Sequence, residues 1–241
     1  MSKCFLCPRE CGVERDSGEI GFCGVTDEYY VAKTMLHKWE EPCISGKRGA
    51  GTVFFAGCNL HCVYCQNSDI SGGITGVKMS DVELESAIFE LLENGAEGIE
   101  FVTPTHYTDK LASLLSKIKP KISVPVVWNS GGYEKAEILK LLEGLVDIYL
   151  PDFKYFDGEI AQKYSSAPDY REIASDAIAE MIKQVGNPTF DESGKLKKGV
   201  IIRHLVLPSH RKDSADVLMH IAKVFGKGEV DKIYLNFSDP L

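Results

Sequence analysis

The sequence predicts an α/β protein whose parallel strands form an open, partial (β/α)6 barrel behind a short cysteine-rich segment. From Gly51 onward, runs of β-branched and aromatic residues alternate with amphipathic stretches of helical length. Such alternation is typical of right-handed βαβ units and a parallel sheet. Six strand candidates are too few for a closed eight-stranded barrel. Residues 1–50 are rich in Cys and Gly and contain one strand candidate, from Tyr29, so we place a boundary between residues 1–50 and the barrel, 51–241.

The predicted elements alternate regularly through the barrel. The strands are residues 52–56, 98–103, 124–128, 146–150, 200–207 and 232–236. One helix begins after Ser80, a good N-cap with Glu83 three residues later, and ends near Asn94. The other helices cover 108–118, 134–142, 170–185 and 213–225. Residues 186–198 are polar and turn-rich, which predicts a surface excursion.

Composition and charge exclude some classes of function. The chain is 44% hydrophobic and 26% charged, which is typical of globular proteins. Its net charge of −8 disfavours nucleic-acid binding, which depends on Lys and Arg. Apolar runs stay well short of the roughly 18 residues of a membrane helix, and the amino terminus has no apolar signal core. We therefore expect a cytoplasmic protein that does not contact membranes.

Three cysteines with the spacing C-x3-C-x2-C directly follow the first barrel strand: Cys58, Cys62 and Cys65. In a reducing cytosol, clustered thiols are more often metal ligands or catalytic groups than disulfides. Three thiolates can hold three irons of a cubane cluster. The fourth iron then has an open coordination position, which makes a metal site reactive. The three cysteines could instead be core residues on one face of a helix, but Gly57 and Asn59 disfavour a helix there. A zinc ion on three thiolates would need a fourth ligand, and His61, next to Cys62, could reach it only through an awkward turn.

This motif resembles the signature of the radical S-adenosylmethionine (SAM) superfamily, C-x3-C-x-aromatic-C after a first barrel strand, with Tyr64 in the aromatic position. The longer segment EEPCISGKRGAGTVFFAGCNLHCVYCQN is similar to relatives of pyruvate formate-lyase activating enzyme, and the similarity covers nearly the whole chain. The resemblance implies a barrel of the radical SAM type and a [4Fe–4S] cluster that binds SAM at its unique iron. It implies reductive cleavage of SAM to a 5′-deoxyadenosyl radical, which abstracts hydrogen from a substrate such as a glycyl-radical partner protein. A flavodoxin or ferredoxin would supply the electron.

The resemblance also implies SAM contacts at the carboxyl ends of the second and third barrel strands. Family members end the second strand in Gly-Gly-Glu, whose carboxylate accepts from the SAM amino group. This chain has Thr103 and Thr105 there, which supply hydroxyl and carbonyl acceptors only. Asn129, at the third strand, is expected to bind ribose hydroxyls. His106 is either an acid–base group near neutral pH or a surface histidine at the start of a helix.

The resemblance also implies charged SAM contacts at the ends of the fourth and fifth barrel strands. Asp152 and Lys154 match the Asp-x-Lys of activating enzymes, whose lysine neutralises the SAM carboxylate. An Asp-x-Lys at a strand end is also typical of an N-cap followed by a solvated amine. Arg203 is expected near the same carboxylate. Because Arg203 and His204 are adjacent in a strand, only one of them can point into the barrel, and we expect Arg203 to do so.

Four further cysteines lie near the amino terminus with the spacing C-x2-C-x3-C-x11-C: Cys4, Cys7, Cys11 and Cys23. We call them the amino-terminal cysteines. This spacing suits a closed metal site, and zinc and a second iron–sulfur cluster fit it equally. A metal there could replace the hydrophobic core that so short a segment cannot build. Free thiols are the alternative. Cys43 stands apart, and we predict no role for it.

The competing function is a non-catalytic iron–sulfur electron carrier or redox sensor. Such a protein has no need of Asn129, Asp152 and Lys154 around an open iron. An RNA-modifying radical enzyme is disfavoured by the acidic composition. Because the resembled family continues with a further polar segment and a helix, we also expect the carboxyl terminus at Leu241 to be shortened and the barrel mouth to be less covered.

Overall fold

Six parallel strands form the centre of the computed structural model, which describes residues 3–226 and the backbone of residues 232–237. The parallel strands are β2 (Ala50–Phe55), β4 (Ile99–Val102), β5 (Val126–Ser130), β6 (Ile148–Pro151), β8 (Leu196–Val206) and β9 (Lys232–Phe237). Three antiparallel strands extend this sheet: β1 (Tyr29–His37), β3 (Val77–Met79) and β7 (Thr189–Phe190). The order is β3-β1-β2-β4-β5-β6-β8-β7, and β9 also pairs with β8. The predicted α/β class is confirmed.

Helices connect the strands, and the longer ones pack against the outer face of the sheet. The helices are α1 (Pro42–Ser45), α2 (Ser68–Ser71), α3 (Asp81–Glu93), α4 (Thr108–Ile118), α5 (Ala136–Leu139), α6 (Gly158–Ser165), α7 (Tyr170–Val185) and α8 (Arg211–Val224). The predicted capping box at the start of α3 is present, because Ser80 and Glu83 each bond to the other's backbone N–H. No helix among the described residues is long and apolar enough to cross a membrane.

Two local predictions need correction. The segment predicted as a helix over 134–142 forms only the single turn α5, followed by a 3-10 turn. Helix α6 was not predicted; its N-cap Asp157 accepts bonds from the backbone N–H groups of Glu159 and Ile160. Residues 186–198 are mostly exposed, as predicted, and form part of a hairpin in which β7 pairs with the early part of β8. The prediction about the carboxyl terminus concerns residues 238–241, which lie outside the described residues.

The two faces of the sheet bury different sets of side chains, because successive residues of a strand point to opposite sides. The outer face packs against the helices through large side chains such as Phe55, Phe101 and Trp128. The inner, concave face carries a smaller apolar cluster: Cys43, Ile44, Ala50, Val127, Ile148, Leu150, Leu196 and Ile201. Two members, Cys43 and Ile44, belong to α1, so this helix closes the barrel interior at the amino ends of the strands. The polar side chains of the inner face, such as Asn129 and Asp152, lie nearer the carboxyl ends of the strands.

Candidate iron–sulfur site

A tight loop after β2 presents the three cysteines predicted to bind a cluster; we call residues 57–65 the cluster loop. Gly57 begins it with φ +80°, and a Cβ there would lie 2.6 Å from the carbonyl oxygen of Cys23, so only glycine fits. The N–H of Cys58 donates to that same carbonyl at 3.0 Å. His61 also has a positive φ, 51°, and its Nε2 lies 2.9 Å from the Phe22 carbonyl. The loop is therefore shaped by the cysteine-rich segment packed against it.

The three thiols of the cluster loop are free and half-buried. The backbone N–H of Leu60 donates to the Cys58 sulfur at 3.3 Å, and the Ser165 hydroxyl donates to the Cys62 sulfur at 2.9 Å. Burial, together with the neighbouring sulfurs of Cys62 and Cys65, raises the pKa of Cys58 to about 11. Iron would have to displace this proton, since metals bind thiolates. The donor set thus fits a cluster held by three cysteines.

Tyr64 is part of a short hydrogen-bonded chain behind the loop. Its hydroxyl lies 2.5 Å from the Tyr155 hydroxyl, which lies 2.6 Å from the Ser165 hydroxyl. Ser165, the last residue of α6, completes the chain to Cys62. The aromatic residue of the motif therefore connects the loop to the helix that sequence reasoning missed. The sequence carries no local signal for this contact, because Ser165 is 103 residues from Cys62.

Charged side chains meet beside the loop at the carboxyl ends of β6 and β8. The Lys154 Nζ donates to Asp152 at 2.6 Å, and the Arg203 Nε donates to the other Asp152 oxygen at 3.1 Å. Burial alone would raise the pKa of Asp152, but the two cations hold it below its ordinary value. Burial likewise opposes the charge of Lys154, yet Asp152 and the Cys62 sulfur keep its pKa well above the usual range. All three groups are therefore charged near neutral pH.

Asn129 joins this network to the barrel interior. Its side-chain oxygen accepts from Arg203 at 2.6 Å, and its nitrogen donates to Glu100 at 2.7 Å. Glu40, on the segment that leads into α1, lies 3.3 Å from the same nitrogen. Arg203 thus points into the barrel, whereas His204 points outward and bonds to the Phe153 carbonyl. The structure brings Asn129, Asp152, Lys154 and Arg203 into one connected group.

The residues after β4 are arranged differently. Thr103 has φ +56°, a conformation that few residues other than Gly adopt, and its N–H donates to the Asn129 carbonyl. The Thr105 hydroxyl donates to Glu134 at 3.1 Å on the outer side of the sheet. His106 is neither at the surface nor titratable near neutral pH. It is 2% exposed, and burial with the nearby Arg15 cation lowers its pKa to about 3.

Tyr170, the first residue of α7, holds two strand ends together. Its hydroxyl lies 2.8 Å from the carbonyl oxygens of both Gly131 and Asp152, and it accepts from the Lys154 N–H at 3.0 Å. A Cβ at Gly132 would lie 2.1 Å from the Asp152 carbonyl oxygen, so the approach of these strands requires glycine. The backbone that carries Asp152 and Lys154 is consequently fixed from behind.

The amino-terminal cysteines are also brought together, and all four are free thiols. A Cβ at Gly21 would lie 3.3 Å from the Cys11 sulfur and 3.7 Å from the Cys23 sulfur. Burial raises the pKa of Cys7 to about 12, and the other three sulfurs add to the effect. The buried guanidinium of Arg15 lies 4.0 Å from the Cys4 sulfur. Burial also raises the pKa of Cys23, and the Arg15 cation opposes this effect only in part.

Arg9 fastens the amino-terminal cysteines to the cluster loop. Its Nε donates to the Asn59 carbonyl and its Nη2 to the Ser165 carbonyl, both at 2.8 Å. It also bonds to the Ser166 carbonyl, and its guanidinium lies 4.0 Å from the Phe22 ring centroid. Sequence reasoning did not single out this arginine, although its place between Cys7 and Cys11 was visible.

Clustered thiols at the carboxyl edge of a mostly parallel sheet define an α/β protein of the iron–sulfur class. The chain belongs to the family described as 4Fe-4S single cluster domain, whose model matches residues 45–168. It is 34% identical over 219 residues to uncharacterized protein MJ0674 of Methanocaldococcus jannaschii, covering 87% of this chain and 58% of that protein. The chain thus spans less than two thirds of that relative.

Solved structures share the fold. Methylornithine synthase (PylB) superposes with a TM-score of 0.53 at 14% identity, over 78% of this chain and 53% of that one. Streptococcus suis SuiB bound to S-adenosylmethionine superposes with a TM-score of 0.53 at 12% identity, over 76% of this chain and 39% of that one. At these identities the likeness concerns the fold alone.

Proposed function

We propose that this protein is a radical SAM enzyme with a [4Fe–4S] cluster on Cys58, Cys62 and Cys65. The observation that carries the proposal is the position of the three free thiols, directly beside the connected group of Asn129, Asp152, Lys154 and Arg203. When bound, the cluster supplies one electron to SAM, so that its sulfonium C–S bond breaks and a 5′-deoxyadenosyl radical takes hydrogen from the substrate.

The charged side chains would bind and orient SAM. Lys154 is 14% exposed and close to Cys62, so its ammonium can meet a carboxylate at the open side of the cluster loop. Arg203 supplies a second fixed cation. Asn129 is proposed to face the ribose hydroxyls. Thr103 is the better acceptor for the SAM amino group, because the Thr105 hydroxyl is already bonded to Glu134.

The substrate and partners are proposals of the same kind. Val63 on the cluster loop is 73% exposed, which supports docking of a small electron donor such as flavodoxin or ferredoxin. A glycyl-radical partner protein is the substrate class that the resemblance to activating enzymes favours. The free state of the seven thiols of the cluster loop and the amino-terminal group fits a reducing compartment such as the cytoplasm.

The amino-terminal cysteines are proposed to bind a second metal centre. Four clustered thiols fit a zinc ion and an iron–sulfur cluster equally. Iron and zinc can be counted in a variant that carries alanine at all three cluster-loop cysteines. About four irons per chain would support a second cluster. One zinc per chain would support a structural zinc ion. Protein without metal would show that the amino-terminal cysteines are free thiols and would contradict the proposed second centre.

The proposed function is tested by measuring 5′-deoxyadenosine. Protein reconstituted anaerobically with iron and sulfide is mixed with SAM and dithionite, beside a Cys62→Ala control. Product from the parent alone supports the proposal. A cubane visible by EPR, with no product and no SAM-dependent change in its spectrum, favours an electron carrier or redox sensor. Lys154→Met should lose SAM binding, whereas Lys119→Met, at the opposite end of the sheet, should keep it.

A further inference from the structure

A second group of metal-ligating side chains, without a cysteine among them, lies inside the barrel. One ligand atom from each of His37, Glu40 and Glu100 lies within 4.8 Å of the others. His37 ends β1, Glu40 precedes α1, and Glu100 belongs to β4. They come from separate elements and meet only because β1 and β4 flank β2.

The group is built into the interior of the protein. Glu100 is 0% exposed, and the Glu40 side chain is 9% exposed. Thr52 donates to one Glu100 oxygen at 2.8 Å, and Asn129 donates to the other at 2.7 Å. These bonds orient the carboxylate. The Nδ1 atom of His37 is buried and has no hydrogen-bond partner in the part of the chain that the structure describes.

The two carboxyl groups of the group lie close together. The Asn129 amide donates to both Glu40, at 3.3 Å, and Glu100, at 2.7 Å, and the Arg203 guanidinium lies 3.7 Å from Glu40. Burial and the neighbouring Glu40 raise the pKa of Glu100 to about 8. Without a metal ion the pair therefore shares a proton, which a bound cation would displace.

We propose that His37, Glu40 and Glu100 bind a divalent transition-metal ion of the Mn²⁺ or Fe²⁺ type. An ammonium group or a shared proton would also balance the charge of the carboxylates. Neither of them explains why the His37 imidazole lies beside the two carboxyl groups. The combination of one imidazole nitrogen with carboxylate oxygens is the donor set that such ions prefer. Three protein ligands leave coordination positions open, through which the ion can hold an oxygen atom of a substrate. This inference is independent of SAM cleavage.

The site lies one layer deeper in the barrel than the proposed SAM contacts. Asn129 is paired in register with Val102, and Glu100 precedes Val102 by two residues on the same face of β4. A substrate group held by the ion would therefore lie next to Asn129.

Mn²⁺ binding to the full chain tests the proposal. The protein is treated with a chelator, dialysed and titrated with Mn²⁺, while EPR reports the concentration of the free ion. We expect one bound Mn²⁺ per chain, weakened more than about tenfold in Glu100→Gln and in His37→Gln. The matched control is Glu134→Gln, an equally buried glutamate on the outer face, which bonds to Trp128. It should bind Mn²⁺ as the parent does.

Two results would overturn the proposal. One is a parent protein that binds no Mn²⁺, in which case a proton or an ammonium ligand balances the carboxylates. The other is Mn²⁺ binding that is unchanged in Glu100→Gln and His37→Gln. Circular dichroism checks that each variant folds. If Glu100→Gln does not fold, His37→Gln decides the question, because His37 is only half-buried and its loss disturbs packing less.

Discussion

Replacing Asp152 by asparagine should destabilise the fold strongly, because it leaves Lys154 and Arg203 buried without their shared anion. The two contacts, at 2.6 and 3.1 Å, correspond to gross attractions of about 6 and 5 kcal/mol at an effective dielectric constant of about 20. Desolvation offsets much of this attraction. Removing one partner of a buried pair typically costs about 3–5 kcal/mol, because the remaining charge stays buried. We expect a loss of about 3 kcal/mol for Asp152→Asn.

The assay is urea unfolding of the metal-free chain at pH 7, followed by circular dichroism. The matched control is Asp147→Asn, which breaks the ion pair of Asp147 with Lys119 at the opposite end of the sheet. Asp147 pairs with one cation, whereas Asp152 pairs with two, so we expect a smaller loss of about 1 kcal/mol. The reasoning is refuted if Asp152→Asn costs no more than Asp147→Asn. It is also refuted if Asp152→Asn stabilises the chain, since the carboxylate would then not be the partner that the two cations need.

Three further predictions concern other contacts. Lys195, together with the backbone N–H groups of Arg48 and Lys47, lowers the pKa of Glu97 to about 2 from an ordinary 4.5. The ionised carboxylate therefore stabilises the fold above pH 4.5, and this stabilisation is lost as the pH falls toward 2. Glu97→Gln should therefore lower the free energy of unfolding by about 3 kcal/mol at pH 7. At pH 3 the difference in the free energy of unfolding between parent and variant should be smaller by about 2 kcal/mol, and a difference that does not change with pH contradicts this. Arg9→Ala removes three bonds to carbonyls and should cost about 2 kcal/mol and speed bleaching of the visible cluster absorbance in air, whereas the control Arg171→Ala should do neither. Ser165→Ala removes a hydrogen bond to the Cys62 sulfur and should lower the cluster's midpoint potential in an EPR redox titration; an unchanged potential would show that this bond does not tune the cluster.

The α/β class and the cluster loop were predictable because their signals are local. Strands and helices follow from the period of apolar residues over about ten positions. The three thiols of the loop lie within eight residues, directly after a strand, so their convergence needed no knowledge of distant contacts. The short helices were harder. Helix α6 has a single clear signal, its N-cap Asp157, and the segment at 134–142 is amphipathic but bends into a 3-10 turn.

Side-chain direction at the strand ends was only partly predictable. Alternation along β8 shows that Arg203 and His204 face opposite sides, but only the packed sheet shows which one faces the barrel. The Thr105 hydroxyl and the His106 imidazole lie in the outer layer because the chain turns sharply at Thr103, a non-glycine residue with a positive φ. Such a turn has no reliable sequence signal.

The sequence by itself determined the class of fold, the position of the three cysteines after the first barrel strand, and the placement of charged residues at the ends of strands. The tertiary structure decided which distant residues complete the site. Arg9 reaches the carbonyl of Ser165 across 156 positions, and Asn129 reaches Glu40 across 89. Glu100 in the segment GIEFV was visible as a charge within an apolar strand, but its partners His37 and Glu40 were not. Contacts of this kind depend on how the sheet curves and on what fills its interior, and neither is written in the local pattern of residues.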